Sequence, residues 1–235
     1  MAGWMGVNLL STNWSPCYRI ISSRFPSIQL FERVANPDDL DAVLQLESLT
    51  NPRLREEVGS LHMVPPEERV TGAGASYVMA AFTHLNPLGS RFSDGSYGVY
   101  YTSLDLDTAI SETVFHQVKH LTYTHEPPQD LDMRILVAEL DADLVDGDRA
   151  GVANLLHPTN HAPGQAFALE IRGQGLDGIR YGSVRQAGGE CAAIFRPKCI
   201  KNCLQSAHLV YPWDGIGIRR DRISKKMLLG SPGAV

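Results

Sequence analysis

The chain has 235 residues, 43% of them hydrophobic and 20% charged, with a formal net charge of −5 and a pI near 5.9. That is enough apolar residue for one sizeable core and too even a spread to call for two, so a single domain over 1–235 is expected. The acidic balance argues against a broad basic surface for direct contact with nucleic acid. No apolar run approaches a membrane span.

The first fourteen residues have no basic start and a very short apolar patch, which is no secretory signal, so a cytoplasmic home is expected. Residues 16–35 hold two short apolar runs separated by Pro26, extended segments leading into the domain. Asn36, Pro37, Asp38 and Asp39 make a helix start ahead of Leu40, Val43, Leu44 and Leu46, and Asn51-Pro52 starts a second helix that Gly59 ends. Residues 1–70 therefore read as a helical N-terminal extension, with nothing catalytic in it.

Residues 71–76, TGAGAS, lack the preceding strand and the third glycine of a dinucleotide fingerprint and predict a turn instead. A small-residue segment follows over 77–85, with Met79, Ala80 and Phe82 facing inward. The stretch 90–98, SRFSDGSYG, predicts an irregular turn with backbone N–H groups free to bind. Residues 99–102 predict a short strand, and Asp105 or Asp107 caps a helix whose buried stripe is Ala109, Ile110, Val114, Val118 and Leu121. On that helix Glu112 and His116 share one face, turned away from the stripe, so periodicity alone places them in solvent.

A connection over 123–132 leads to a buried strand at 133–140, then to an acidic, turn-rich stretch at 141–151 without the spacing of a calcium loop. A helix opens at Pro163-Gly164-Gln165 and ends at Gly173 or Gly175. Strands are predicted at 178–181 and 191–195, flanking turns at Ser183 and at Gly188-Gly189. Ser183 does not sit in a G-x-S-x-G elbow, which argues against serine-hydrolase chemistry. Residues 208–213 form an edge strand, and 214–235, with Arg219, Arg220, Arg222, Lys225 and Lys226, read as a solvated tail or a partner contact.

The cysteines, at 17, 191, 199 and 203, follow no disulfide framework and are expected as reduced thiols. Cys199, Cys203 and His208 do not have standard zinc spacing or an evident fourth ligand, so no metal is expected. Short strands with intervening helices and no regular βαβ rhythm give the fold class α+β.

Arg91, Tyr101 ten residues on, Glu112 eleven further, then His116, with YGSVR at 181–185, resemble the RES-domain family. The likeness extends through DGIRY at 177–181 to CAAIF at 191–195, over about Phe31 to Phe195. Arg33 is similar to an arginine that often opens such domains. The resemblance implies a fold like that of ADP-ribosyltransferases, NAD as co-substrate without a metal, and a bacterial toxin neutralised by an antitoxin with a helix-turn-helix DNA-binding domain. It also implies catalytic roles for Glu112 and Arg91, and NAD contacts from Arg91, Tyr101, Ser183 and Arg33.

Once NAD is supposed, its chemistry follows. Breaking the nicotinamide–ribose bond develops positive charge on the sugar, which a fixed carboxylate stabilises more in the transition state than in the ground state. Glu112 is that candidate, with Arg91 on the pyrophosphate or orienting Glu112, Tyr101 stacking on the nicotinamide or hydrogen-bonding near it, and Ser183 holding the ribose or the amide. His116 either orients Glu112 or is structural. The acceptor of ADP-ribose is expected to be a host protein; phosphate or water is the alternative, and a non-enzymatic interaction protein is the alternative from another class.

Overall fold

The computed structural model describes residues 8–23, 30–33, 40, 42 and 59–226. Among them are seven strands, β1 (Leu9–Ser22), β2 (Tyr100–Ser103), β3 (Gln129–Asp146), β4 (Gly178–Gly182), β5 (Glu190–Ile194), β6 (Ile200–Trp213) and β7 (Ser224–Lys226). They are joined by the helices α1 (Leu30–Arg33), α2 (Ala75–Thr83), α3 (Leu106–Thr124) and α4 (Ala162–Gly173). The class is α+β.

The strands form one sheet in the order β1-β2-β5-β4-β3-β6-β7, and β1 also pairs with β3, so the first five close into a ring. Every pairing is antiparallel except β3–β4. β3 is the shared member. One edge carries β1 from Leu9↔Val145 to Ser22↔Met133, while the other carries β6 and then, at Val145 and Asp146, β4. At the far side of the ring β1 meets β2 through the pair Tyr18↔Ser103.

Three buried clusters fill the molecule. α2 packs Val78, Met79 and Phe82 with Phe31, Leu40, Leu136 and Leu140. α4 lays Phe167, Ala168 and Ile171 against Ile179 of β4 and Phe92 of the preceding loop. α3 sets Ala109 and Leu121, with Ile110, Val114 and Val118 partly buried, against Ile20, Met133 and Tyr211. The expected stripe of α3 is therefore the one it buries.

Three expectations are corrected. The strand foreseen at 133–140 runs on to Asp146, because Asp141 and Asp143 point to solvent while Ala142 and Leu144 are buried, an alternation that the acidic composition hides. Residues 9–22 are β1 and belong to the ring, so the extended reading of 16–35 holds over 16–22, while the helical character given to 1–70 as a whole fails here. Pro16 masks that strand in the sequence: it has no N–H to donate, and the register shifts between Trp14 and Cys17. Residues 214–226, expected as tail, fold back, with Ile218 bridging Trp213 and β7 pairing with β6. The two helices foreseen beyond Pro37 and Pro52 fall almost wholly outside the described residues.

Candidate active site

Glu112 is half-buried rather than solvated, because its face of α3 lines a cleft of about 290 Å³ shared with strands of the ring. Tyr18, Arg19 and Ile20 of β1 line it, with Tyr101 of β2, Tyr181 of β4, Cys191 of β5, and Arg91 and His161 from loops. α3 contributes Glu112, Thr113, His116 and Gln117.

The hydroxyl of Ser183 donates to Glu112 Oε1 at 2.6 Å. The same oxygen accepts the backbone N–H of Arg185 at 3.1 Å and of Gln186 at 3.0 Å. A serine oxygen has one proton and two lone pairs. With both lone pairs occupied, the proton goes to the carboxylate, so the turn foreseen at Ser183 is a fixed donor to Glu112. The turn is docked onto the start of α3. Asp105 caps that helix through Thr108, accepting its N–H and its hydroxyl at 2.7 Å each, and a Cβ on Gly189 would meet Thr108 Oγ1 at 2.3 Å.

Arg91 leaves the loop before β2 and donates from Nη1 to the carbonyl of His157 at 2.9 Å. Its position is fixed by Tyr101, whose hydroxyl bonds Ser90 Oγ at 2.8 Å and accepts the N–H of Phe92 at 2.9 Å, the two neighbours of Arg91. Tyr101 therefore clamps the loop that presents the guanidinium. Burial pushes the Tyr101 hydroxyl up to about 12, which keeps it protonated for that task. Among the described residues the partner that holds Glu112 is Ser183, and Arg91 is bonded elsewhere.

The cleft adds residues to which the sequence reading gave no role. Arg19 lies over the Tyr100 ring at 4.7 Å and donates to the carbonyl of Tyr101 at 2.9 Å. Burial lowers its pKa, and the titratable groups around it, Tyr100, Cys203 and Tyr101, include no carboxylate. A desolvated cation that faces a cleft and has no acid partner among the described residues is suited to an anionic ligand group. The local signal was an arginine inside the apolar run Tyr18-Arg19-Ile20. Arg185 is not part of the lining; it donates to the carbonyl of Pro158 at 2.6 Å and sits 3.4 Å over the Phe115 ring. Arg33 ends α1, and its side chain lies outside what the structure describes; among the described residues before 90, Arg19 is the arginine that lines the cleft.

His116 faces the cleft one turn beyond Glu112. The residue keeps an exposed side, yet burial against the cleft first, then Arg185, His161, Lys119 and Arg91, pushes its pKa down to about 4. His161 moves in the same direction, burial first and Arg91 second. Both imidazoles are neutral at pH 7.

Cys199 and Cys203 are buried thiols; Cys203 Sγ lies 3.8 Å from the Tyr100 hydroxyl, and His208 bonds Gln205 at 2.7 Å. Among the described residues no helix is long and apolar enough to cross a membrane.

Residues 66–214 match the family model of the RES domain, and the chain belongs to that family. It is 30% identical over 204 residues to the uncharacterized protein y4oC of Sinorhizobium fredii, covering 86% of this chain and 84% of that one. The solved M. tuberculosis MbcT–MbcA toxin–antitoxin complex aligns with 84% of this chain and 86% of that one, at a TM-score of 0.42 and 9% identity.

Proposed function

We propose that the protein is an NAD-consuming enzyme that breaks the nicotinamide–ribose bond and passes ADP-ribose to a protein side chain. The observation that carries this reading is the Glu112 carboxylate, held by one oxygen against Ser183 in a cleft whose other charged lining groups are cations. As the C1′–N bond breaks, its electron pair leaves with the nicotinamide nitrogen, which was cationic and becomes neutral, so the leaving group needs no proton. Neutral His116 and His161 fit a site that has no general acid to supply. The positive charge passes to the ribose, where Glu112 stabilises it in a cleft too narrow for water to screen it fully. Arg91 and Arg19 meet the pyrophosphate oxygens, Tyr101 keeps Arg91 in place, and Ser183 keeps the carboxylate aimed. A cleft of about 290 Å³ takes the nicotinamide riboside end of the molecule and leaves the adenosine at the surface.

Family membership supports the wider setting of a bacterial toxin restrained by an antitoxin with a helix-turn-helix domain and acting in the cytoplasm. The acceptor attacks C1′ through a nucleophilic oxygen or nitrogen and gives up its proton.

The test is NAD concentration over time with purified protein, alone, with phosphate and with cell lysate, beside Glu112→Gln. Turnover should require lysate and leave ADP-ribose on a protein, and the variant should be slower by about a hundredfold or more. Consumption with phosphate or water alone replaces the protein acceptor by that molecule. Untouched NAD in every mixture overturns the enzyme reading in favour of an interaction protein.

A further inference from the structure

The last described segment of the chain returns to the cleft from behind. After β6, Asp214 Oδ1 accepts the N–H groups of Ile216 at 2.9 Å and Gly217 at 2.8 Å, turning the chain, and Ile218 is 9% exposed within the cluster around α3. A single turn at Arg220–Arg222 follows, and β7 pairs with β6. Arg219 and Asp221 bond each other in solvent at 2.7 Å, as a charged tail would.

Arg220 does not. Its Nη1 donates to Ser111 Oγ at 2.8 Å and to Gln186 Oε1 at 3.0 Å, and Nη2 lies 3.3 Å from Asp107 Oδ1 in the first turn of α3. Ser111 is buried and immediately precedes Glu112, and its hydroxyl also lies 2.9 Å from Gln186 Oε1. Gln186 is the residue whose backbone N–H holds Ser183 Oγ, and whose carbonyl accepts the N–H of Gly189 at 3.0 Å. One guanidinium thus ties the helix that carries the carboxylate to the turn that carries its donor. A planar cation with several donors suits this; the rim pair with Asp107, exposed on both sides, adds little. Arg220 lies beyond the 66–214 that match the family model.

We propose that Arg220 is a positioning residue for the Glu112–Ser183 pair, acting through Ser111 and Gln186 without touching the substrate. The kinetic part rests on the reading of the cleft as an NAD site; the structural part does not.

The test compares full-length wild type, Arg220→Gln and Arg220→Lys by thermal unfolding, by amide hydrogen exchange over 183–189, and by kcat and KM for NAD. In Arg220→Gln, exchange at Ser183, Gln186 and Gly189 should quicken about tenfold and kcat should fall about tenfold, with KM within twofold of wild type, because the fault lies in aim rather than in binding. Arg220→Lys should recover part of both, since an ammonium reaches one acceptor. Unchanged exchange overturns the proposal whatever NAD does, as does faster exchange with unchanged kcat in an active enzyme. A kcat loss matched by a general drop in unfolding temperature and faster exchange throughout also overturns it. Should wild type leave NAD intact, the proposed function falls, and exchange over 183–189 alone decides Arg220.

Discussion

His116 shows how one side chain records its surroundings. Packed against the cleft wall and ringed by Arg185, His161, Lys119 and Arg91, it resists a proton that it would take freely in the unfolded chain, where its pKa is near the ordinary 6.5. The folded value is the lower one, so the unfolded state binds more protons in between. Stability is then fully present above pH 6.5 and is lost as pH falls towards 4. The unfolding temperature of the wild type should drop across that window, and His116→Gln, which cannot titrate, should show a shallower drop; equal slopes would mean the ring is solvated. The spacing shared with a family singled out Glu112 beside it, which lines the cleft, whereas helical periodicity sent it into solvent. Periodicity reports which face meets the core beneath a helix, and not what else folds over the opposite face. Arg19 was missed because an arginine between Tyr18 and Ile20 looks like any strand residue until Tyr101 and Tyr100 are placed around it.

At the scale of elements, α3 was read nearly correctly from its cap and stripe, since both are local. Asp105 holds its first turn through Thr108, and the same threonine is the surface against which Gly189 packs. Asp105→Ala should cost about 1 kcal/mol of stability, a fall of roughly 2–4 °C in Tm for a chain of this size. It should also loosen the Ser183 turn, and calorimetry beside an activity assay checks both. The strands were less legible. β3 carries its last third as alternating aspartates, which composition reads as a turn, and β1 carries Pro16, which reads as a break. Each is a strand because its buried residues, Ala142 and Leu144 in one and Trp14 and Cys17 in the other, face a core supplied by distant segments.

For the whole molecule, composition foretold an acidic protein with reduced thiols, and left open where the charge would lie. The net −5 coexists with a cleft lined by two arginines, Arg19 and Arg91, against one carboxylate, Glu112, so the formal charge of its lining differs in sign from that of the whole chain. All four thiols are buried, at 0, 2, 7 and 1% exposure for Cys17, Cys191, Cys199 and Cys203. Burial raises Cys17 to about 11 and Cys191 and Cys199 to about 12, and raises Cys203 in the same direction. A thiol-directed reagent should therefore label none of them in the native protein at pH 8 and all four in denaturant; prompt labelling of one would show that the core around it opens.

The ring closed by β1 has a bearing on when, during folding, the cleft can form. Leu9 pairs with Val145, and Tyr18 with Ser103, so β1 finds its partners only far along the chain. Such distant pairings make for slow closure. Arg19 rides on that strand and Ser183 lies beyond both of those partners in the chain, so the two sides of the cleft stay apart until the ring has closed.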